Sequence, residues 1–245
     1  MAFHPCLIIP IYNNKDTIRE VVESLAYLEL PCIIVDDGSD VDTQQVLQDL
    51  AGELDWVQLV RRGCNGGKGA AMAEGFRAAL QQGFTHAVQV DADGQHDARD
   101  VPRFLEQAQR HPGALILGRP VFGEDAPLVR RFGRFATHFS VWLETLSTDI
   151  KDALYGFRYY PLEAVSRLYR QVEVGHGMVF DTEIAVRLSW QGVSMINVDT
   201  RVDYFPGGVS HFDYVRDNLR IVRLHTILIL GMLVRFPRLA FRGRA

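Results

Sequence analysis

The sequence predicts an α/β fold, a mostly parallel central sheet with helices on both faces, from three observations. Short apolar runs recur through the first half of the chain, helical patterns separate them, and each run ends in a polar or glycine-rich turn. Strands joined through helices need crossover connections, and crossovers make the strands parallel. With 245 residues, 47% of them hydrophobic, the chain is long enough to bury a substantial core. A net charge of -4 gives no global basic surface, so no nucleic-acid partner is expected. Cys6 and Cys32 fall in apolar runs and Cys64 in a loop, without metal-ligand spacing, which fits reduced cytosolic thiols. Residues Met1 to Pro5 lack the basic, apolar and cleavable succession of a secretory signal.

Taken in order, Cys6 to Ile11 is a buried strand, and Asp16 to Leu28 is a helix with Ile18, Val21, Val22, Leu25 and Leu28 on one face. Cys32 to Val35 is the second strand. It runs into the turn Asp36-Asp37-Gly38-Ser39-Asp40 and then a helix through Val46, Leu47 and Leu50. Trp56 to Val60 is the third strand; the glycine-rich Arg61 to Gly69 then opens a helix through Ala79, and Ala87 to Val90 is the fourth strand. Ala114 to Leu117 is a further strand ending at Gly118-Arg119-Pro120, and Arg130, Arg131 and Arg134 follow on a helix. Val179 to Ala185 starts another helix, strands lie around Ser194 to Val198 and Val202 to Phe205, and Tyr214 to Phe236 has a helical period.

In parallel sheets ligands bind beyond the carboxyl ends of the strands. That rim collects Pro10-Ile11-Tyr12-Asn13-Asn14, Asp36-Asp37-Gly38-Ser39 and Asp91-Ala92-Asp93. Tyr12 can stack on or hydrogen-bond a base or ribose, Asp36 or Asp37 can accept from their donors, and Asp91 can reach ribose or metal. A strand that ends in Asp-x-Asp presents hard oxygen ligands, which suit Mg²⁺ or Mn²⁺ carrying a nucleotide diphosphate. Asn65-Gly66-Gly67-Lys68-Gly69 at a helix start offers backbone amides, a helix dipole and a lysine to phosphate, or else a tight turn for close packing. Gly69 after Lys68 breaks the order of a nucleoside triphosphatase loop.

Pro10-x-Tyr12-Asn13, Val35-Asp36-Asp37-Gly38-Ser39, Asn65-x-Gly67-Lys68-Gly69, Asp91-Ala92-Asp93-Gly94-Gln95-His96 and Asp152-x-x-x-Gly156-Phe157-Arg158 together resemble family 2 glycosyltransferases of the GT-A fold. The branch that the chain is most similar to is the polyprenyl-phosphate (dolichyl-phosphate) mannose and glucose synthases, over about residues 5 to 211. The resemblance implies a GT-A (nucleotide-diphospho-sugar transferase) domain at residues 1–212 and an inverting, metal-dependent hexosyltransferase. It implies a nucleoside held by Pro10, Tyr12, Asn14 and Asp37, a metal-bound diphosphate at Asp91 and Asp93, and Gln95 as a further ligand of Mg²⁺ or Mn²⁺. The donor would be of the GDP-mannose or UDP-glucose type and the acceptor lipid-linked, a polyprenyl phosphate first.

Cleaving a sugar-diphosphate bond develops negative charge on the departing nucleotide, which a divalent ion stabilises. A hydroxyl acceptor needs a base, whereas a lipid phosphate is already ionised and needs positioning cations. Arg119 and one of Arg130 or Arg131 fall where the synthases hold the acceptor phosphate, although Arg130 and Arg134 also suit a solvated helix face. Asp152 is the candidate acid facing the acceptor, as a base, an arginine partner or a helix cap. Glu183 is a second catalytic candidate; it and Asp181 also suit a helix N-terminus. Pro206 to His211 resembles the loop that closes over the diphosphate, with Ser210 and His211 as phosphate contacts. Three residues depart from the synthase pattern: His211 stands where lysine is usual, Phe205 where an arginine is, and Asn14 for a frequent glutamate.

The segment 213–245 is amphipathic and basic. Its longest apolar stretch, Thr226 to Val234, is far short of the ~20 residues that span a bilayer. It is expected to lie on the membrane, among anionic headgroups, with the protein peripheral on the cytoplasmic face. The other readings are packing on the domain core or on a second copy of the chain; a fixed membrane partner would be a separate chain. Transfer to a hydroxyl of a glycolipid, glycan or other lipid is the nearest rival activity. A nucleotidyltransferase and a non-catalytic nucleotide-sugar-binding protein are the rivals from other classes.

Overall fold

The computed structural model describes residues 3–121, 128–201 and 214–241. Its centre is a seven-stranded sheet built from β1 (Pro5–Ile11), β2 (Cys32–Asp36), β3 (Val57–Arg61), β4 (His86–Gln89), β5 (Leu115–Val121), β6 (Arg158–Pro161) and β7 (Met195–Arg201), in the order β3-β2-β1-β4-β6-β5-β7. The strands β3, β2, β1 and β4 are mutually parallel, and β5 and β7 are parallel to each other. Only β6 runs the other way, between β4 and β5. Every residue of β1 is buried. Both faces of the sheet are covered, so its period-two alternation is hidden inside one apolar run.

Cys6 and Ile8 point into the core under α3 (Lys68–Gln81), α5 (Leu128–Thr145), α6 (Leu162–Tyr169), α7 (Phe180–Trp190) and α8 (Tyr214–Ala240). Leu7, Ile9 and Ile11 point into the core under α1 (Lys15–Leu25), α2 (Val41–Glu53) and α4 (Val101–Arg110). Strand register sets which turns share an edge of the sheet. Gln89 of β4 faces Arg158 of β6, and Arg158 faces Leu117 of β5, so the residues just beyond Gln89 and Leu117 reach the same rim.

Several elements differ from the expectations. The first helix ends at Leu25; a single 3-10 turn over Ala26–Leu28 follows, closed by Glu29 in the left-handed region at φ 52°. Gly156-Phe157-Arg158, for which no strand was expected, leads directly into β6, whose first residue is a fully buried arginine. A charged residue at the head of a four-residue strand masks the strand signal. Neither α4 nor α6 was expected: each buries only a short stripe, Val101, Phe104 and Ala108 in one and Leu162, Val165 and Leu168 in the other. The expected strand at Val202 to Phe205 lies outside the described residues, as do Ser210 and His211.

One side of α8 is built into the core through Leu224, Leu228, Met232 and Leu239. Gly231 lies close against the Trp190 ring, and His225 Nδ1 is 2.6 Å from Glu144 Oε1, tying α8 to α5. Among the described residues, no helix is long and apolar enough to cross a membrane.

Candidate active site

The turns after β1 and β2 are tied together. Asn13, at φ 55°, donates its N–H to Ser39 Oγ (3.1 Å) and accepts from Asp40 N (2.8 Å), while Asp37 N donates to Ile11 O (2.9 Å). Pro10 is buried in the strand; Tyr12 and Asn14 stand half-buried beyond it. Asn14 opens α1 without a side-chain cap, its carbonyl accepting from Ile18 N (3.2 Å).

Asp36 and Asp37 are both turned inward. Asp36 accepts from Ser39 N at 2.9 Å and lies 3.2 Å from Arg61 Nε. Asp37 accepts from Gly67 N (2.6 Å), Gly66 N (3.1 Å) and Arg62 Nη1 (2.7 Å). Burial pushes the Asp37 carboxyl above its ordinary value, against the pull of those amides and of Arg62. The amides expected to face phosphate are thus held by a carboxylate. Gly67 needs its glycine, because at φ +89° an added Cβ would also press on His176 O.

Lys68 likewise sits beneath the rim. Its Nζ is 2.8 Å from Asp91 Oδ2 and 2.8 Å from Asp181 Oδ2, within a buried polar network. Gln89 Nε2 donates to Asp181 Oδ1 (3.3 Å) and Asp91 Oδ1 (3.2 Å), and Tyr160 donates to Gln89 Oε1 (3.0 Å). Arg158 bolts the network to the preceding loop, donating to Tyr155 O (2.8 Å), Ala153 O (2.8 Å) and Asp181 O. Burial opposes the charge on Asp91, yet Lys68, then His96, outweigh it and hold its carboxyl down at about 2. Gly156 closes over this cluster: an added Cβ would meet Asp91 Oδ2, Lys68 Nζ and Gln89 Nε2.

The loop that carries Asp93 is braced from outside. Thr17 Oγ1 donates to Ala92 O (2.5 Å), and His96 Nδ1 accepts from Asp91 N (3.1 Å) while its ring stacks on Phe157 at 4.9 Å. Asp93 Oδ1 accepts from Gln95 N (3.0 Å). Among the described residues, no cation pairs with Asp93, and the Gln95 side chain makes no hydrogen bond. Burial, then the negative Asp91, push the Asp93 carboxyl above its ordinary value. A half-buried carboxylate without a counter-charge next to an amide oxygen is a donor set that fits a hard divalent ion. No group of three His, Cys, Asp or Glu that could hold a metal occurs among the described residues. Mg²⁺-type ions accept such sparse protein ligation when phosphate and water fill the other positions.

The remaining expected residues separate. Asp152 is buried, accepts from Leu154 N and Tyr155 N (both 2.9 Å), and meets Arg134 Nη2 at 2.6 Å and His138 Nε2 at 3.4 Å. It is therefore an arginine partner that also closes a turn. Arg119 pairs with Asp199 across β5 and β7 (2.5 and 2.8 Å) in an exposed ion pair, at the level of Asp91 but two strands away. Arg130 and Arg131 fall within α5, their side chains outside the described residues. Glu183 is taken up by other partners, with its oxygens on Gly175 N (2.8 Å) and Arg187 (2.7 Å). The acid that reaches the rim network is Asp181, two residues earlier. Only its place in the first turn of a helix hinted at this, and which side of that turn meets the sheet is set by packing.

Solved structures that share this architecture include two GT-A enzymes. S. aureus TarS in complex with UDP-GlcNAc superposes with a TM-score of 0.65 at 17% identity, over 98% of this chain and 73% of that one. M. tuberculosis glucosyl-3-phosphoglycerate synthase with Mn²⁺, UDP-glucose and phosphoglyceric acid superposes with a TM-score of 0.65 at 17% identity, over 94% and 80%. A sequence profile of Glycosyl transferase family 2 matches residues 6–171, and the chain belongs to that family. Similar relatives include the polyprenol monophosphomannose synthase of Mycolicibacterium smegmatis, 28% identical over 78% of this chain and 74% of that protein. The undecaprenyl-phosphate mannosyltransferase of Micrococcus luteus is 28% identical over 78% and 80%.

Proposed function

We propose that this hexosyltransferase moves a sugar, with inversion, from a nucleotide diphosphate donor to a lipid-linked phosphate at a membrane surface. The observation that carries the reading is the contrast between two neighbouring carboxylates. Asp91 is neutralised by Lys68, whereas among the described residues Asp93 beside it has no counter-charge, only the Gln95 backbone amide, and the Gln95 side chain makes no hydrogen bond. These two would hold Mg²⁺ or Mn²⁺, which when bound draws off charge from the departing nucleotide. Asp91, fixed by Lys68 and Gln89, would meet the ribose and diphosphate of the donor. Pro10, Tyr12 and Asn14 line the nucleoside side of the rim, with Asp37 holding the loop behind them.

A phosphate acceptor agrees with the state of Asp152. Burial works against its charge, but His138 and Arg134 hold the carboxyl at about 2, where it is a poor base at neutral pH. An already ionised acceptor needs no base. Lipid linkage is supported by exposed apolar side chains on two helices packed together. These are Phe135, Phe139 and Leu143 on α5, and Leu219, Val222, Leu230, Leu233 and Val234 on α8. Seven arginines and one carboxylate in residues 214–245 add attraction to anionic headgroups. Both relatives are named for polyprenyl-type acceptors, and the manganese-bound neighbour is in complex with UDP-glucose.

The test is transfer from GDP-mannose or UDP-glucose to a polyprenyl phosphate, with and without Mn²⁺. Asp93→Ala is expected to abolish transfer while leaving the unfolding midpoint unchanged. Full activity of that variant, or transfer only to hydroxyl acceptors, would refute the reading.

A further inference from the structure

We propose that the cleft between α6, α7 and α8 is a second site, separate from the rim, that binds a phosphate-bearing anion. The cleft encloses about 250 Å³ and brings together Arg167, Arg187, Arg235 and Arg238 from three helices; no carboxylate lines it. Arg187 lies six residues beyond Asp181 on α7, roughly 9 Å along the axis and away from the rim cluster.

The four cations are unequally compensated. Arg187 is satisfied by Glu183 behind the cleft, at 2.7 Å. Arg167 has only Glu163, 4.0 Å away and largely in solvent. Arg235 lies over the Trp190 ring, 4.6 Å from its centroid, and donates to Gly231 O at 2.9 Å, which positions it without cancelling its charge. Arg238 makes no ion pair among the described residues. Like charges held together repel, and an oxyanion among them removes that cost while matching the planar fork of each guanidinium.

The ligand's chemistry follows from the four guanidinium groups, which suit a phosphate ester, with glycerol 3-phosphate as a soluble example. Gln191 Nε2 donates to Gln171 Oε1 (3.1 Å), which holds the floor between α6 and α7. Arg235 and Arg238 border the exposed Val234 and Phe236, so the ester can arrive free or as a phospholipid headgroup.

The experiment titrates the full chain, at constant ionic strength and with EDTA to keep the rim out, with glycerol 3-phosphate and separately with vesicles of phosphatidylglycerol or phosphatidylcholine. The wild type is compared with Arg167→Gln/Arg238→Gln and, in case the pair perturbs folding, with Arg238→Gln alone. Saturable binding of glycerol 3-phosphate, weakened about tenfold per arginine removed, assigns the site to a free phosphate ester. Preference for phosphatidylglycerol vesicles that falls by the same factors, without binding of the soluble ester, assigns it to a headgroup. Equal binding of both probes by wild type and variants, or none, overturns the proposal.

Discussion

Asp152 shows how a buried carboxylate acts once its neighbours are charged. Its pKa of about 2 in the folded chain lies below the ordinary value, so it contributes stability that is present above about pH 4 and lost as the pH falls through 2. A shift of this size corresponds to about 2 kcal/mol. Replacing Asp152 by Asn is expected to lower the unfolding free energy at pH 7 by about that amount and to flatten the pH dependence between 4 and 2; chemical denaturation at a series of pH values checks it. Gly156 makes a sharper claim. An alanine there must displace Asp91, Lys68 or Gln89, so Gly156→Ala is expected to cost roughly 1–3 kcal/mol and most of the transfer activity. A fully active, unshifted variant would show that the cluster tolerates repacking.

At the scale of elements, α5 and α8 carry two roles at once. Leu224, Leu228 and Met232 pack α8 into the core, so removing the helix would uncover that core as well as any membrane-facing side. Substitutions on the exposed side separate the roles. Changing Phe135, Phe139 and Leu233, all more than half exposed, to Ser is expected to lower the unfolding midpoint by no more than roughly 3–6 °C, since surface changes cost about 0.5 kcal/mol or less each. The same triple variant is expected to lose sedimentation with anionic vesicles. Unchanged sedimentation would assign those side chains to another partner. The antiparallel β6 matters in the same way: it is the short strand that plants Arg158 under Asp181 and presents Gly156 to Asp91.

For the whole molecule, the site is assembled from turns that are far apart in sequence, so donor binding should stabilise the entire fold. Donor at a hundred times its dissociation constant adds about 2.7 kcal/mol. For a chain of this size that raises the midpoint by roughly 5–10 °C. The shift is expected with Mn²⁺ present and to shrink on chelation or in Asp93→Ala. A scan showing the same midpoint with and without donor and metal would remove the basis for placing the ion at Asp93 and Gln95.

What the sequence by itself determined is the alternation of strands and helices through the first four strands, the sheet rim, and the family to which the chain belongs. Those follow from local period, from turn residues and from motifs that occupy consecutive positions. Tertiary structure decided which acids face the rim. Asp181 and Glu183 are indistinguishable two residues apart in one helical turn until α7 packs on the sheet, which sends the first to Lys68 and the second to Arg187. It also turned Asp37 and Lys68 from apparent ligand contacts into internal ion pairs, and hid a strand behind a buried arginine. The reason is that burial and pairing of charge depend on neighbours distant in the chain: Gln89 and Asp181 lie ninety-two residues apart yet share a hydrogen bond.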